Sequence, residues 1–154
     1  MTNGLIVAIN PLVNSTPMNS GVSGKYILYA DDDLDDQDIM GELLQQIAPQ
    51  VQLVVKDNGE DLLRFINELP DDANMPALII LDLNMPGLDG IQTLIKVKEI
   101  ERCRDVPVLI FSTAFNEIDK HRAFSSGAIA FVNKPSSYTQ LQVIIGSFTA
   151  YLNP

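Results

Sequence analysis

Charge is missing from both ends of this chain: no acidic or basic residue occurs in residues 1–24, and none from Pro135 to Pro154. Cysteine and histidine are nearly missing as well, Cys103 and His121 being the single examples. One cysteine excludes an internal disulfide, and one histidine cannot build a histidine-based metal cluster. Both read as bystanders. Positive charge is scarce, with 10 Lys and Arg against 20 Asp and Glu, a formal net charge of −10 and a pI near 4.3. The few cations are scattered, so direct binding to nucleic acid or to an anionic membrane is not expected. Long apolar runs are absent too: nothing approaches the ~18 residues of a membrane span. The run Leu5-Ile6-Val7-Ala8-Ile9 follows no basic residue and is ended by Asn10-Pro11, which does not fit a secretory signal. The expectation is a soluble, cytoplasmic protein.

What remains is the composition of a folded domain. The chain has 154 residues, of which 46% are apolar and only 19% charged, enough to bury one core. Residues 1–24 carry Pro11, Pro17, Gly21 and Gly24 among Asn, Ser and Thr, and read as an extension or arm. The folded unit is expected over residues 25–154. Tyr26–Ala30, Val51–Val55, Ala77–Leu81, Val108–Phe111 and Ile129–Val132 have strand character, and four of the five are nearly all apolar, as in parallel strands covered on both faces. Between them lie segments of helical period. The stripe Ile39, Met40, Leu43, Leu44 and Ile47 marks the first, and residues 59–66, 91–100, 116–126 and 137–152 mark the others. This alternation predicts a (βα)5 doubly wound α/β domain with right-handed crossovers.

In such a sheet, ligands sit outside the carboxyl ends of the strands. The first strand delivers Asp31 and Asp32 there, the third delivers Asp82, the fourth Ser112 and Thr113, and the fifth Lys134 followed by Pro135. Three carboxylates, a hydroxyl and an ammonium thus converge on one edge.

This ordered set resembles the receiver domain of bacterial two-component response regulators over about residues 25–152. The residues that carry the resemblance are the acidic pair after the first strand, the stretch Leu81-Asp82-Leu83-Asn84-Met85-Pro86-Gly87-Leu88-Asp89-Gly90, Ser112, and Lys134-Pro135. The resemblance implies a flavodoxin-like strand order 2-1-3-4-5 and an Asp82 that accepts a phosphoryl group from a histidine kinase or a phosphotransfer protein. It implies Mg2+ held by Asp31, Asp32, Asp82 and the backbone carbonyl of Asn84, Asp31 acting mainly through water. It implies phosphoryl binding by Ser112, Thr113 and Lys134, and a switch aromatic at Phe131, where Phe needs no hydrogen-bond partner. A cis bond between Lys134 and Pro135 is also implied. Two departures stand out: Thr113 replaces a usually small residue and narrows access, and Ala114 offers nothing to orient a hydrolytic water, so self-dephosphorylation is expected to be slow. Asp31–Asp36 together with Phe111-Ser112-Thr113 resembles the stand-alone, chemotaxis-regulator-like receivers that accompany bacterial phytochrome-type kinases.

Other readings of the same residues are weaker. Counting from Asp31, carboxylates fall at positions 1, 3 and 5 of a calcium loop with Glu42 at 12, but Asp36 stands where the sharp turn needs Gly. Asp82-Leu83-Asn84 resembles haloacid-dehalogenase-type phosphatases, yet Asn84 cannot serve as their acid and base. Asp33, Asp35 and Asp36 read as caps and first-turn anions, and Asp89-Gly90 as a turn and helix start.

No output domain is expected beyond the last predicted helix, and the signal is expected to pass by docking or by onward relay. The uncharged C-terminal segment holds Val143, Ile144, Ile145, Phe148, Tyr151 and Leu152, more apolar residues than one helix face needs. Cover by a homodimer, by a partner or by the N-terminal arm is expected. Two functional classes stay open: a phosphorylated switch, and a receiver-like interaction module that works without phosphorylation.

Overall fold

Every residue of Tyr26–Ala30 (β2), Leu78–Leu81 (β4) and Val108–Ser112 (β5) is buried, which requires helices on both faces of the sheet. The computed structural model describes residues 7–11, 25–149 and 152. With Gln52–Lys56 (β3) and Ala130–Asn133 (β6), these strands form a parallel sheet in the order β3-β2-β4-β5-β6. Counted among themselves, the five run 2-1-3-4-5, the expected doubly wound arrangement. Its switch point lies between β2 and β4, where ligand crevices form.

A sixth strand was not foreseen. Val7–Ile9 (β1) joins the sheet antiparallel to β6, with Ala8 opposite Phe131. The free edge of β6 offers unpaired backbone groups, and a short apolar strand satisfies them. Asn10 ends the pairing: its backbone N–H donates to Ile129 O at 2.8 Å, and its side-chain amide donates to Phe124 O at 3.0 Å and Ala128 O at 2.6 Å. Part of the uncharged N-terminal segment therefore lies on the sheet; residues 1–6 and 12–24 lie outside the described residues.

Side-chain alternation on β2 divides the core. Ile27 and Tyr29 turn toward Leu34–Ile47 (α1) and Tyr138–Phe148 (α5), while Leu28 and Ala30 turn to the other face with Leu62, Ile66 and Leu94 of Gly59–Glu68 (α2) and Gly90–Glu99 (α3). Glu117–Ser125 (α4) completes that second layer through Ala123. Each fully buried aliphatic contributes about 1.5–3 kcal/mol. Helix starts are set by side-chain caps: Asp33 for α1, Asn58 for α2, an Asp89–Gln92 capping box for α3, Asn116 for α4 and Ser137 for α5. Helix α1 thus begins at Leu34, one turn before the apolar stripe that announces it.

On α5, Ile144, Ile145, Phe148 and the following Leu152 are buried within the chain, and Phe148 meets Phe111 edge-on at 5.9 Å. Val143 remains 57% exposed, and Tyr151 lies outside the described residues. The expected surplus of apolar surface on this helix therefore narrows to little more than Val143 and the exposed Tyr138. No helix among the described residues is long and apolar enough to cross a membrane.

Candidate functional site

The parallel ladder continues one step beyond the strands and so fixes where the site residues stand. Asp31 N–H donates to Lys56 O at 3.1 Å, Asp82 N–H to Ala30 O at 3.0 Å, and Lys134 N–H to Ser112 O at 2.9 Å. Asp31, Asp82 and Lys134 are therefore held by backbone on the carboxyl edge of the sheet, while Asp32 follows where the chain turns toward α1.

Asp31, Asp32 and Asp82 offer carboxylate oxygens that all lie within 4.8 Å of one another. Asp31 is fully buried and Asp82 is 7% exposed, whereas Asp32 faces solvent. Lys134 reaches into this group, its Nζ lying 2.6 Å from Asp31 Oδ2, 2.9 Å from Asp36 Oδ2 and 3.5 Å from Asp82 Oδ1. Asp31 has further support: Oδ2 accepts from the Tyr29 hydroxyl and Oδ1 from Asp33 N–H at 2.9 Å. Gln37 Nε2 donates to the Asp31 carbonyl at 2.6 Å and to Asp57 Oδ1 at 2.8 Å. The Lys134 ammonium also lies 5.6 Å from the centre of the Phe111 ring.

The electrostatics follow from burial and from an excess of one sign. Burial pushes the Asp82 carboxyl up to about 6; the Lys134 charge opposes that rise, and Asp31 and Asp32 add to it. Burial alone would lower Lys134, but hydrogen bonds to Asp31 and Asp36 and the nearby Asp82 charge hold its ammonium above the ordinary range. Tyr29 is pushed well above the usual phenol range by burial first and by Asp31 second, so it stays a donor. Three carboxylates meet one ammonium, and Asp32 adds a fourth negative charge to the cluster. An all-oxygen donor set with surplus negative charge fits a hard divalent cation, which is the test these residues pass for Mg2+.

The remaining predicted residues stand around this centre. Ser112 is buried at the end of β5, its Oγ accepting from Ala114 N–H at 3.1 Å. Thr113 and Asn84 are exposed just beyond their strands. Phe131 is buried in β6 below the edge and meets Phe115 edge-on at 5.4 Å. No cis peptide bond occurs among the described residues, so the Lys134–Pro135 bond is trans, unlike the bond the resemblance implied.

Tyr29, Asp36 and Gln37 are the contacts that sequence reasoning missed. Asp36 carried a readable signal: it precedes the buried Met40 by four residues and Leu43 by seven, on the inward stripe of α1. Asp33 does cap α1, accepting from Asp35 N–H at 2.9 Å and Asp36 N–H at 3.2 Å. Asp36 does more than serve as a first-turn anion.

Comparison with known proteins points one way. The family model described as the response regulator receiver domain matches residues 27–146. The response regulator Rcp1 of Synechocystis is 26% identical over 119 residues, spanning 76% of this chain and 81% of Rcp1. A crystal structure of the Mn2+-bound form of Rcp1 superposes with a TM-score of 0.73 at 23% identity, over 83% of this chain and 94% of that one. The phosphorylated cyanobacterial phytochrome response regulator RcpA superposes with a TM-score of 0.77 at 25% identity, over 84% and 95% of the two chains. The probable methanogenesis regulatory protein FilR2 of Methanothrix harundinacea is 31% identical over 78 residues, or 51% of this chain. The chain corresponds to only 50% of FilR2's length.

Proposed function

The chain belongs to the response regulator receiver domain family, and on that premise we propose that it is a Mg2+-dependent phosphoryl acceptor whose acceptor residue is Asp82. The observation that carries this reading is the placement of Lys134 against Asp31 and Asp82, beside three carboxylates whose oxygens lie within 4.8 Å. Residues 25–154 form the receiver unit in this reading, with residues 1–24 as its attached arm.

A carboxylate is a competent nucleophile toward phosphorus. One Asp82 oxygen bonds to the phosphorus of a phosphohistidine while the phosphorus–nitrogen bond breaks. The imidazole leaves and takes up a proton, and an acyl phosphate remains on Asp82. Asp31, Asp32, Asp82 and the Asn84 carbonyl would hold Mg2+, which when bound supplies charge neutralisation for the phosphoryl oxygens. Lys134 supplies a further positive charge beside Asp82, and the Ser112 hydroxyl turns from Ala114 N–H toward the new oxygens. Thr113 lines the entrance, and Phe131 responds below it as the switch aromatic. Ala114 leaves the hydrolytic water without an orienting group, so the acyl phosphate persists.

The donor is a sensor histidine kinase or a histidine phosphotransfer protein, and the output is altered docking to a protein target or onward relay. A second copy or a partner meeting α5 would do so around Tyr138 and Val143. The chain turns over no other substrate in this reading.

The deciding experiment is incubation with acetyl phosphate and Mg2+, followed by intact mass measurement, on the wild type and on Asp82→Asn. One added phosphoryl mass on the wild type alone supports the reading. No added mass from acetyl phosphate or from phosphohistidine donors would favour a receiver-like interaction module that works unphosphorylated.

A further inference from the structure

The three N–H bonds of the Lys134 ammonium meet unequal partners. Nζ lies 2.6 Å from Asp31 Oδ2 and 2.9 Å from Asp36 Oδ2, while Asp82 Oδ1 stands at 3.5 Å, too far for a good hydrogen bond. Asp31 and Asp82 also belong to the carboxylate trio with Asp32. A cation held by that trio and the Lys134 ammonium therefore draw on the same two carboxylates. Asp36 lies outside the trio. It is fixed on α1, a helix packed against α5, and its backbone N–H is taken by the Asp33 cap. Its side chain is 34% exposed and the Lys134 side chain it meets is 9% exposed, so the contact is screened less than a surface pair. Neither neighbouring acid can replace it: Asp33 is committed to capping, and Asp35 is exposed.

We infer that Asp36 is a positioning residue for Lys134: it holds the ammonium on the α1 side of the site, so that a divalent cation at the trio and Lys134 are accommodated together. The inference rests on the reading of Asp82 as phosphoacceptor beside a metal. Without Asp36, the ammonium falls back on Asp31 and Asp82 and competes with the cation for them. Lys134 also loses the anchor that keeps it beside Asp82 once Asp31 is engaged by metal.

The test is a double-mutant cycle read as Mg2+ affinity, by calorimetric titration of the unphosphorylated full chain. Asp36→Asn should weaken Mg2+ binding roughly fivefold, and the same change in a Lys134→Met background should have little effect. Asp35→Asn removes the same charge from the same turn and should shift the affinity by less than about twofold. Asp36→Glu should recover most of the loss. Should Asp36→Asn fail to fold, Asp36→Ser takes its place in the cycle. Equal losses in both lysine backgrounds would mean that Asp36 acts through bulk charge alone, and would overturn the inference; so would an unchanged affinity in Asp36→Asn. A wild type that binds no Mg2+ would instead overturn the metal site itself, and the role of Asp36 with it.

Discussion

The Tyr29 hydroxyl donates to Asp31 Oδ2, the same oxygen that Lys134 Nζ approaches at 2.6 Å. Both residues are fully buried, two positions apart at the end of β2, and so share one side of the strand. A strand residue thus helps to hold the carboxylate at the centre of the site. Tyr29→Phe keeps the ring in its cluster and removes only this donor. Hydrogen bonds to charged groups contribute about 1.5–3 kcal/mol, and because Asp31 keeps Lys134 and Asp33 N–H, the lower end is expected. Urea unfolding of the metal-free protein should show a lower midpoint with an unchanged slope; an unchanged midpoint would mean that the hydroxyl contributes nothing.

The raised Asp82 carboxyl sets a pH dependence. Its folded value of about 6 exceeds the ordinary 3.8, chiefly through burial. Between those values the folded state binds more protons than the unfolded state, so this group makes stability fall as pH rises from about 4 to 6. Above pH 6 the cost is complete, on the order of 2–3 kcal/mol in the metal-free protein. Asp82→Asn should be more stable than the wild type at pH 7 and about equal to it near pH 4. Unfolding curves at the two pH values check this; a wild-type advantage at pH 7 would contradict it.

Surplus carboxylate charge at the trio makes Mg2+ a stabilising ligand. At a concentration one hundred times its dissociation constant, the cation should add about 2.7 kcal/mol, raising the melting temperature by roughly 5–10 °C for a chain of this size. Asp32 is exposed, so Asp32→Ala should leave the metal-free melting temperature nearly unchanged while removing most of that rise. Thermal melts with Mg2+ and with a chelator separate the two effects. A full rise in Asp32→Ala would take Asp32 out of the ligand set.

These contacts differ in how far a sequence can disclose them. Asp31, Asp82 and Lys134 were legible because Asp31 and Asp82 directly follow apolar runs and Lys134 follows one after the single residue Asn133, and parallel strands must deliver their ends to one edge. Tyr29 was not, because in a strand buried on both faces the alternation that marks a side disappears. The start of α1 was legible, since Asp33 reads as a cap and Asp35 and Asp36 as first-turn anions, but the turn of Asp36 toward Lys134 was not, because first-turn acids look alike in a sequence. Pairing of Val7–Ile9 with β6 had no local signal, since the partner edge lies more than a hundred residues away and any short apolar run can add to an open edge. The trans bond before Pro135 likewise depends on tertiary context that the dipeptide does not carry.

The backbone behind Asp82 has no room to move. A Cβ on Gly90 would stand 2.4 Å from Asp82 O and 2.9 Å from Leu83 Cα, both main-chain atoms that no rotamer change can relieve. Gly90 N–H also donates to Leu83 O at 2.8 Å, which ties the start of α3 to the loop leaving β4. A methyl group there must push that loop and helix apart, at about 2–3 kcal/mol for overpacking. Because the loop carries Asp82, Gly90→Ala should also slow phosphorylation by acetyl phosphate by roughly tenfold or more. Gly146 in α5 is the control: nothing lies within 4 Å of its would-be Cβ, so Gly146→Ala should stabilise by about 0.5–1 kcal/mol and leave phosphorylation unchanged. Urea midpoints and phosphorylation time courses on the two variants should move in these opposite ways; a Gly90→Ala protein as stable as the wild type would show that the β4–α3 connection yields more readily than its contacts imply.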